Sequence, residues 1–286
     1  MRSSGKPLLN VSEDVTINKD TTINVKQKFY HRACRITGCV RTNDHTIAVA
    51  DFKNSSVKLV DLNRKKVKDR LSLKSKPWDI TRVNEHTLAV TCPGGRSRYI
   101  QLVTVSKSGC LTLGQEIPVN GLCVGIRYTA TGGGIFLVSF TNPHKVKVMD
   151  TSGTVLKDLS LDAAGQPRFV MPYHIGISND GSTLIVSNHG TNTVKGLTLD
   201  GAVKWVYSDD ELWQPAGVAV GDGGEIYVCG YASFNIHVIS SEGRKIKVLL
   251  KKNDGVECPQ CVTFCDNKLF VGSKKNHLDV YRIQYQ

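Results

Sequence analysis

The sequence predicts an all-β fold, a six-bladed β-propeller, and three observations lead to this prediction. One pattern occurs six times in the 286 residues: an apolar strand, a turn, a second strand ending in small residues, a polar loop and a third strand. Successive copies begin 42, 44, 51, 42 and 44 residues apart, which is the length of one four-stranded propeller blade. Apolar and polar residues alternate in short runs, which is the period of strands rather than of helices.

The internal spacing of the copies supports one repeated unit. The clearest copy begins at Pro215, with strands at 217–220, 225–228 and 236–239, and the others begin near Ile36, Trp78, Leu122, Tyr173 and Pro259. In four copies, eight residues separate matching apolar positions of the second and third strands: Val49 and Val57, Val138 and Val146, Val186 and Val194, Val228 and Ile236. The step is ten in the second copy, from Val90 to Ile100, and seven in the sixth, from Val271 to Leu278. Unrelated helices would not keep such a step.

The sixth copy offers only three strands before the sequence ends. Residues 21–29 precede the first copy and alternate in the manner of a strand, so we expect them to supply the missing strand of blade six. Residues 1–20 are then an N-terminal tail, and residues 21–286 form a single propeller. This closure would remove the open sheet edge that otherwise promotes aggregation.

Composition restricts the function classes. Lys plus Arg number 37 against 25 Asp plus Glu, and the net charge of +12 favours anionic partners. The nine cysteines include Cys39, Cys123, Cys229 and Cys265 within or beside strands, and we interpret them as reduced thiols that fill the core. Residues 1–20 lack the apolar core of a signal peptide, and no segment approaches eighteen apolar residues. A cytoplasmic protein without membrane contact is expected.

The copies resemble a known family over nearly the whole chain, most clearly in blades one, four and five. The fifth copy and residues 49–61, in which Ala50 and Asp51 end the second strand, are similar to NHL repeats, the blades of six-bladed propellers in tripartite-motif (TRIM-NHL) proteins. The strand endings Thr91-Cys92, Ser139-Phe140 and Gly272-Ser273 depart from that pattern in blades two, three and six. The resemblance implies a recognition module for proteins or single-stranded RNA. The one Cys-x-x-Cys, Cys258 to Cys261, has no second pair at zinc-finger spacing, so ubiquitin-ligase activity is not expected of this chain.

Basic residues are concentrated in the loops of blades six, one and two. The loops before each first strand and between the second and third strands share one face of a propeller, so these blades would bring eight cations into one arc. We call them the basic arc: Arg32, Arg35, Lys74, Lys76, Arg96, Arg98, Lys274 and Lys275. Asp209, Asp210 and Glu211 would lie on the opposite side of the same face. Such an arc suits a phosphate backbone or an acidic peptide, although a run of charges is more often a solvated surface.

Aromatic residues stand where first strands begin. Trp78, Tyr173, His174 and Trp213 would lie near the channel mouth, where they could hold a ligand, although such rings more often pack the hub. No metal or cofactor is expected. Cys258 and Cys261 lack a following His pair, His174 and His189 need not converge, and Asp79 is the one acidic residue at the blade openings, which is too few oxygen ligands for calcium.

The sequence therefore favours a non-catalytic propeller that presents a rigid loop face to a protein or peptide partner. Binding of single-stranded RNA through the basic arc is the second hypothesis. A metal-dependent hydrolase or lyase is a distant third.

Overall fold

The protein is an all-β, six-bladed propeller in a computed structural model that describes residues 15–28, 31–95 and 97–284. Each blade is an antiparallel sheet of four strands. Blades one to three contain β2–β5 (Ile36–Asn43, Thr46–Asp51, Ser56–Asp61, Lys66–Ser72), β6–β9 (Ile80–Asn84, Thr87–Cys92, Tyr99–Val105, Leu111–Pro118) and β10–β13 (Cys123–Thr129, Ile135–Thr141, His144–Asp150, Val155–Asp158). Blades four to six contain β14–β17 (Pro172–Ile177, Thr183–Asn188, Thr193–Thr198, Val203–Ser208), β18–β21 (Pro215–Val220, Ile226–Gly230, Asn235–Ile239, Lys245–Leu250) and β22–β24 (Cys261–Cys265, Lys268–Gly272, His277–Gln284) with β1 (Thr16–Asn24). Short 3-10 helices cover Thr131–Gly133, His189–Thr191 and Lys252–Asp254.

An N-terminal strand closes the ring, at a position different from the expected one. β1 pairs antiparallel with β24 from Thr16 opposite Gln284 to Asn24 opposite His277. The strand thus begins five residues before the predicted 21–29, within the predicted tail. Residues 16–20 have the sequence Thr-Ile-Asn-Lys-Asp, whose polar character hides the strand, and a register shift between Lys19 and Thr21 interrupts the alternation. Phe29 lies outside the described residues.

The apolar core is divided into six clusters, and each cluster lies between two neighbouring blades. Tyr227 of blade five packs with Leu269 and Tyr281 of blade six, for example, and Leu59 of blade one packs with Leu88 of blade two. The other four clusters join the remaining neighbours around the ring. A blade buries its two faces only against its neighbours, so each blade depends on ring closure for its core.

Glycines bring the inner strands close together at the hub. A Cβ at Gly125 would lie 2.3 Å from the carbonyl oxygen of Tyr173 in the next blade. A Cβ at Gly217 would lie 2.6 Å from Cα of Cys261, again in the next blade. Both distances are shorter than any real contact, so a larger residue at either position would push the neighbouring blade outward.

A polar residue occupies one repeated position in the third strand of every blade. It pairs opposite a valine of the second strand in each sheet: Val49 with Lys58, Val90 with Gln101, Val138 with Lys147, Val186 with Lys195, Val228 with His237 and Val271 with Asp279. Lys58 Nζ donates to the Val25 carbonyl at 2.7 Å, and Lys195 Nζ donates to the Arg168 carbonyl at 2.5 Å. His237 Nε2 lies 3.3 Å from the Glu211 carbonyl. In blades one, four and five this position therefore anchors the chain segment that leads into the first strand.

All nine cysteines are free, and Cys39, Cys123, Cys229 and Cys265 are buried as expected. In the described part of the chain, no helix has the length and apolar character needed to cross a membrane.

Candidate functional site at the propeller mouth

Five aromatic rings form a continuous series across one face of the propeller. They are Phe52, Trp78, Tyr173, His189 and Tyr231, and we call them the mouth cluster. Trp78 meets Phe52 at 5.1 Å and Tyr173 at 5.3 Å between ring centroids, both edge to face. His189 stacks on Tyr173 at 4.6 Å and lies 6.2 Å from Tyr231. The rings come from blades one, two, four and five, so they join opposite sides of the propeller.

Arg35 is held against this cluster from several directions. Its guanidinium carbon lies 5.0 Å from the Phe52 centroid and 5.1 Å from the Trp78 centroid. Its Nε donates to Oε1 of the buried Gln260 at 2.7 Å. No residue within the described ranges accepts a hydrogen bond from its two terminal nitrogens. These nitrogens form the fork that binds carboxylate or phosphate in a bidentate manner.

The backbone of Arg35 is fixed by the end of the second strand of blade one. The Arg35 amide donates to Oδ1 of Asp51 at 3.0 Å, and the Phe52 amide donates to the Arg35 carbonyl at 2.9 Å. Oδ2 of Asp51 accepts hydrogen bonds from Lys58 Nζ and from Asn54 Nδ2, each at 2.7 Å. Because Asp51 and Lys58 are both fully buried, this carboxylate is a rigid support for Arg35.

The rest of the basic arc divides into two groups. Lys76 lies 5.2 Å from the Phe52 ring and Lys274 lies 5.0 Å from the Tyr231 ring, so both join Arg35 at the mouth cluster. Lys74 is paired with Glu116 at 2.9 Å and Lys275 with Glu257 at 3.2 Å. Arg32 and Arg98 are exposed, and Arg96 lies outside the described residues. The structure therefore brings three of the eight predicted cations onto the aromatic rings and pairs two others with carboxylates.

Two polar atoms beneath the mouth are buried without a partner in the described residues. One is Nε1 of Trp78, and the other is Nε2 of His174. His174 Nδ1 lies 3.4 Å from Oδ2 of Asp79, and this carboxylate also accepts the Ile126 amide at 3.0 Å. Unpaired buried donors and acceptors cost free energy, and such atoms often mark a place where water or a ligand binds.

Burial also affects the titration of the mouth. It raises the pKa of the Tyr173 hydroxyl above its ordinary value, so this group stays neutral at physiological pH. Burial lowers the pKa of His189, although the Pro215 carbonyl at 3.2 Å partly opposes the shift. The neutral His189 ring stacked on Tyr173 adds no charge to the site. Its positive charge comes from Arg35, Lys76 and Lys274.

Trp213 lies apart from the mouth cluster. It is 57% exposed, and its Nε1 donates to the Asp210 carbonyl at 2.9 Å. It lines a cavity of about 480 Å³ together with Asp210, Glu211 and Lys251. Glu211 is paired with Lys251 at 2.8 Å, and Asp209 is paired with Lys245 at 2.7 Å, so part of the acidic loop is neutralised by its own lysines.

The structure places Trp78, Tyr173 and His174 at the mouth and Arg35, Lys76 and Lys274 around it. Their role in binding a ligand stays a prediction. Sequence reasoning did not single out Tyr231, or Gln260 as the acceptor for Arg35. One signal was available for Tyr231, because it directly follows the second strand of blade five just as Phe52 follows that of blade one. In the described residues, no three His, Cys, Asp or Glu side chains are grouped so that they could hold a metal.

Comparisons with known proteins identify the fold. Neither protein-family profiles nor curated proteins give a match to this chain. A Bacteroides thetaiotaomicron protein of unknown function superposes with a TM-score of 0.72 at 12% identity, covering 94% of this chain and 76% of that chain. A catalytically inactive virginiamycin B lyase from Staphylococcus aureus with quinupristin gives 0.61 at 13% identity, covering 91% and 82%. The β-propeller domain of Cps50 (Swd1) from Myceliophteria thermophila gives 0.63 at 13% identity, covering 87% and 83%. At these identities, the likeness shows that the chain has the β-propeller fold and nothing more specific.

Proposed function

We propose that this protein is a non-catalytic, cytoplasmic propeller of the NHL type that recognises an acidic peptide segment of a partner protein at its mouth. The mouth cluster provides a rigid apolar platform, and Arg35, Lys76 and Lys274 provide the charge. The acidic side chain or the C-terminal carboxylate of the partner binds to the Arg35 fork, and apolar parts of the peptide pack on the rings.

One observation carries this proposal: the guanidinium of Arg35 is already oriented before any ligand arrives. Its guanidinium carbon lies 5.0 Å from the Phe52 ring centroid and 5.1 Å from that of Trp78, and its Nε donates to Gln260 Oε1 at 2.7 Å. Its terminal nitrogens have no acceptor within the described residues. An arginine fixed in this way loses little side-chain entropy on binding, so more of the interaction energy appears as affinity. A solvated surface arginine would not need three supporting side chains.

The charge distribution favours a compact anion over a long nucleic-acid backbone. A phosphate chain is best bound by cations spread along a groove. Here the cations at the rings are grouped around one cluster, and Lys74 and Lys275 are already paired with Glu116 and Glu257. This arrangement fits one or two carboxylates better than a run of phosphates.

The test is selection of random peptides of about 12 residues, displayed on phage, against the purified chain, followed by affinity measurements on the enriched sequences. We expect enrichment of Asp or Glu, and a loss of about 1.5–3 kcal/mol in binding free energy in Arg35→Gln, which is roughly ten- to hundredfold in Kd. Lys74→Gln removes the same charge from the same face and serves as the control, because that lysine is already paired with Glu116. Equal binding by wild type and Arg35→Gln contradicts the proposal.

Single-stranded RNA is the second candidate, and the stacked rings under three cations favour it. Bases stack on aromatic side chains, and phosphates bind lysine and arginine. The salt dependence of binding to a poly(U) oligonucleotide distinguishes the two. Contacts with Arg35, Lys76 and Lys274 alone predict a log–log slope of about −2, and engagement of the whole basic arc predicts about −5 to −6. A peptide-binding protein is expected to bind this oligonucleotide weakly at physiological salt.

A further inference from the structure

The exposed apolar side chains of this protein are concentrated in one short segment. Of the nine large exposed apolar residues within the described ranges, five lie between positions 155 and 171: Val155, Leu156, Leu161, Val170 and Met171. Exposed apolar residues scattered singly need no explanation, but those that share one concave surface mark a candidate contact site, and two of these five, Leu161 and Val170, line the same cleft.

This segment is also where the blade repeat is longest. The spacing from the third to the fourth blade is 51 residues, against 42 to 44 for the others, and the extra residues lie in the loop before β14. Leu161 and Pro167 pair as an isolated antiparallel bridge within this loop. Arg168 holds the loop in place, because its Nε donates to the Leu161 carbonyl at 2.5 Å and its Nη1 donates to the Gly201 carbonyl. The long loop before β14 is therefore an ordered structure rather than a loop without internal contacts.

The ordered loop and the third blade enclose a cleft. Its cavity measures about 540 Å³, and its lining includes Leu161, Pro167, Phe169 and Val170 on one side and His144 and Lys145 on the other. Phe169 is buried and forms the apolar floor, whereas Leu161 is 54% exposed at the rim. A cleft of this size accepts one or two large apolar side chains.

The cleft is joined to the mouth cluster by backbone hydrogen bonds. The His189 amide donates to the Met171 carbonyl at 3.1 Å, and the Gly190 amide donates to the Val170 carbonyl at 2.9 Å. His189 is the ring that stacks on Tyr173, which lies three residues after Val170. The contacts that lead from Arg35 through Trp78 and Tyr173 to His189 measure 5.1, 5.3 and 4.6 Å, so the His189 ring lies within about 15 Å of Arg35. An extended chain advances about 3.3 Å per residue, so seven or eight residues span this distance and continue onto the cleft loop.

We propose that the cleft between blades three and four, formed by the 159–171 loop, binds an apolar side chain of the same acidic peptide whose carboxylate is held by Arg35. This inference rests on the proposed function and specifies its ligand as an extended acidic segment with a Leu, Ile, Met or Phe up to about eight residues from the acidic residue. Asp158 also lines the cleft and pairs with Lys145 at 3.5 Å, so the cleft is an apolar pocket with little net charge of its own. The occupant is this peptide rather than a second copy of the chain, because the cleft loop is hydrogen-bonded to the mouth cluster and because two copies that each carry a net charge of +12 repel one another.

The phage-selected peptides test this inference. Each enriched peptide is measured against wild type, against Leu161→Ser/Val170→Ser, and against Leu113→Ser, a matched control because Leu113 is 48% exposed on the outer strand of blade two. We expect a Kd at least about tenfold higher for the cleft variant and an unchanged Kd for the control. Replacing the apolar residue of the peptide by Ala should weaken binding to wild type but not further weaken binding to the cleft variant.

The two proposals fail in different ways. Peptides that depend on Arg35 but bind the cleft variant as tightly as wild type overturn the cleft and leave the mouth site intact. Peptides that need the cleft and tolerate Arg35→Gln overturn the mouth site as the anion site and keep the cleft as an apolar pocket. Failure to enrich any peptide overturns both. Thermal unfolding of each variant shows that it is folded. Since Leu113, Leu161 and Val170 are exposed, we expect their substitutions to shift Tm by less than about 1 °C.

Discussion

Replacement of Lys58 by methionine should destabilise the protein strongly, although a single amino group is removed. Lys58 is fully buried, and its Nζ lies 2.7 Å from Oδ2 of Asp51, 2.7 Å from the Val25 carbonyl and 3.3 Å from Sγ of Cys34. Methionine keeps most of the apolar length of the side chain but loses the charge. Asp51 would then be a buried carboxylate without a cation beside it.

The structure sets the expected magnitude. Breaking a buried ion pair by removing one partner typically costs about 3–5 kcal/mol. Asp51 would retain hydrogen bonds from the Arg35 amide and from Asn54, so we expect the lower end, about 3 kcal/mol. For a chain of 286 residues this corresponds to a fall in Tm of about 5 °C.

The assay is urea unfolding followed by circular dichroism, with two companion variants. Lys147→Met changes the equivalent third-strand position in blade three, where the lysine lies over Phe140 and is only partly buried, so we expect less than about 1 kcal/mol. Asp51→Asn combined with Lys58→Met removes the uncompensated charge and should recover about 1 kcal/mol or more relative to Lys58→Met alone. If Lys58→Met lowered the free energy of unfolding by less than about 1 kcal/mol, the Lys58–Asp51 pair would not be the support for Arg35 and for the segment at Val25 that we infer.

Two further predictions concern ring closure and pH. Ile23→Ala, in the buried face of β1, should lower the free energy of unfolding in urea by about 2–4 kcal/mol. Asn18→Ala, on the exposed part of the same strand, should lower it by less than about 0.5 kcal/mol. Equal effects of the two substitutions would contradict the closure by β1. Burial lowers the pKa of His189 and of His237 below their ordinary value of 6.5, so the unfolded chain binds more protons than the folded one as the pH falls through this value. The free energy of unfolding should therefore fall below about pH 6.5, by up to about 1.4 kcal/mol per pH unit for each histidine. Urea unfolding at several pH values measures this slope, and a His237→Gln variant with the same slope as wild type would show that His237 does not contribute.

The repeat made the fold predictable, because strand alternation and a fixed blade length are both visible in one chain. The eight-residue step from Val49 to Val57, or from Val228 to Ile236, follows from two antiparallel strands joined by a short loop. The start of β1 was not predictable in the same way. Thr16 to Lys19 pair with β24 through backbone hydrogen bonds that carry no side-chain signature, and several of their side chains are exposed.

The site was harder to predict, since it depends on which side chains from distant loops meet. The sequence places Arg35 and Gln260 in adjacent blades, but their contact depends on side-chain orientation. Lys58 shows the same difficulty, because alternation along Ser56–Asp61 suggests an exposed side for a strand that is buried almost throughout. A sequence signal did exist: a polar residue follows each second-strand valine eight to eleven positions later in all six blades.

The pairing of β1 with β24 determines how the ring would respond to mechanical force. Thr16 lies opposite Gln284, so the two ends of the described chain leave blade six at the same end of one antiparallel strand pair. Tension applied between these ends would load the hydrogen bonds of the pair one after another, as in opening a zipper, rather than all at once in shear. Blade six would open first. Because every interblade cluster depends on an intact ring, separation of β1 from β24 would then unfold the whole propeller.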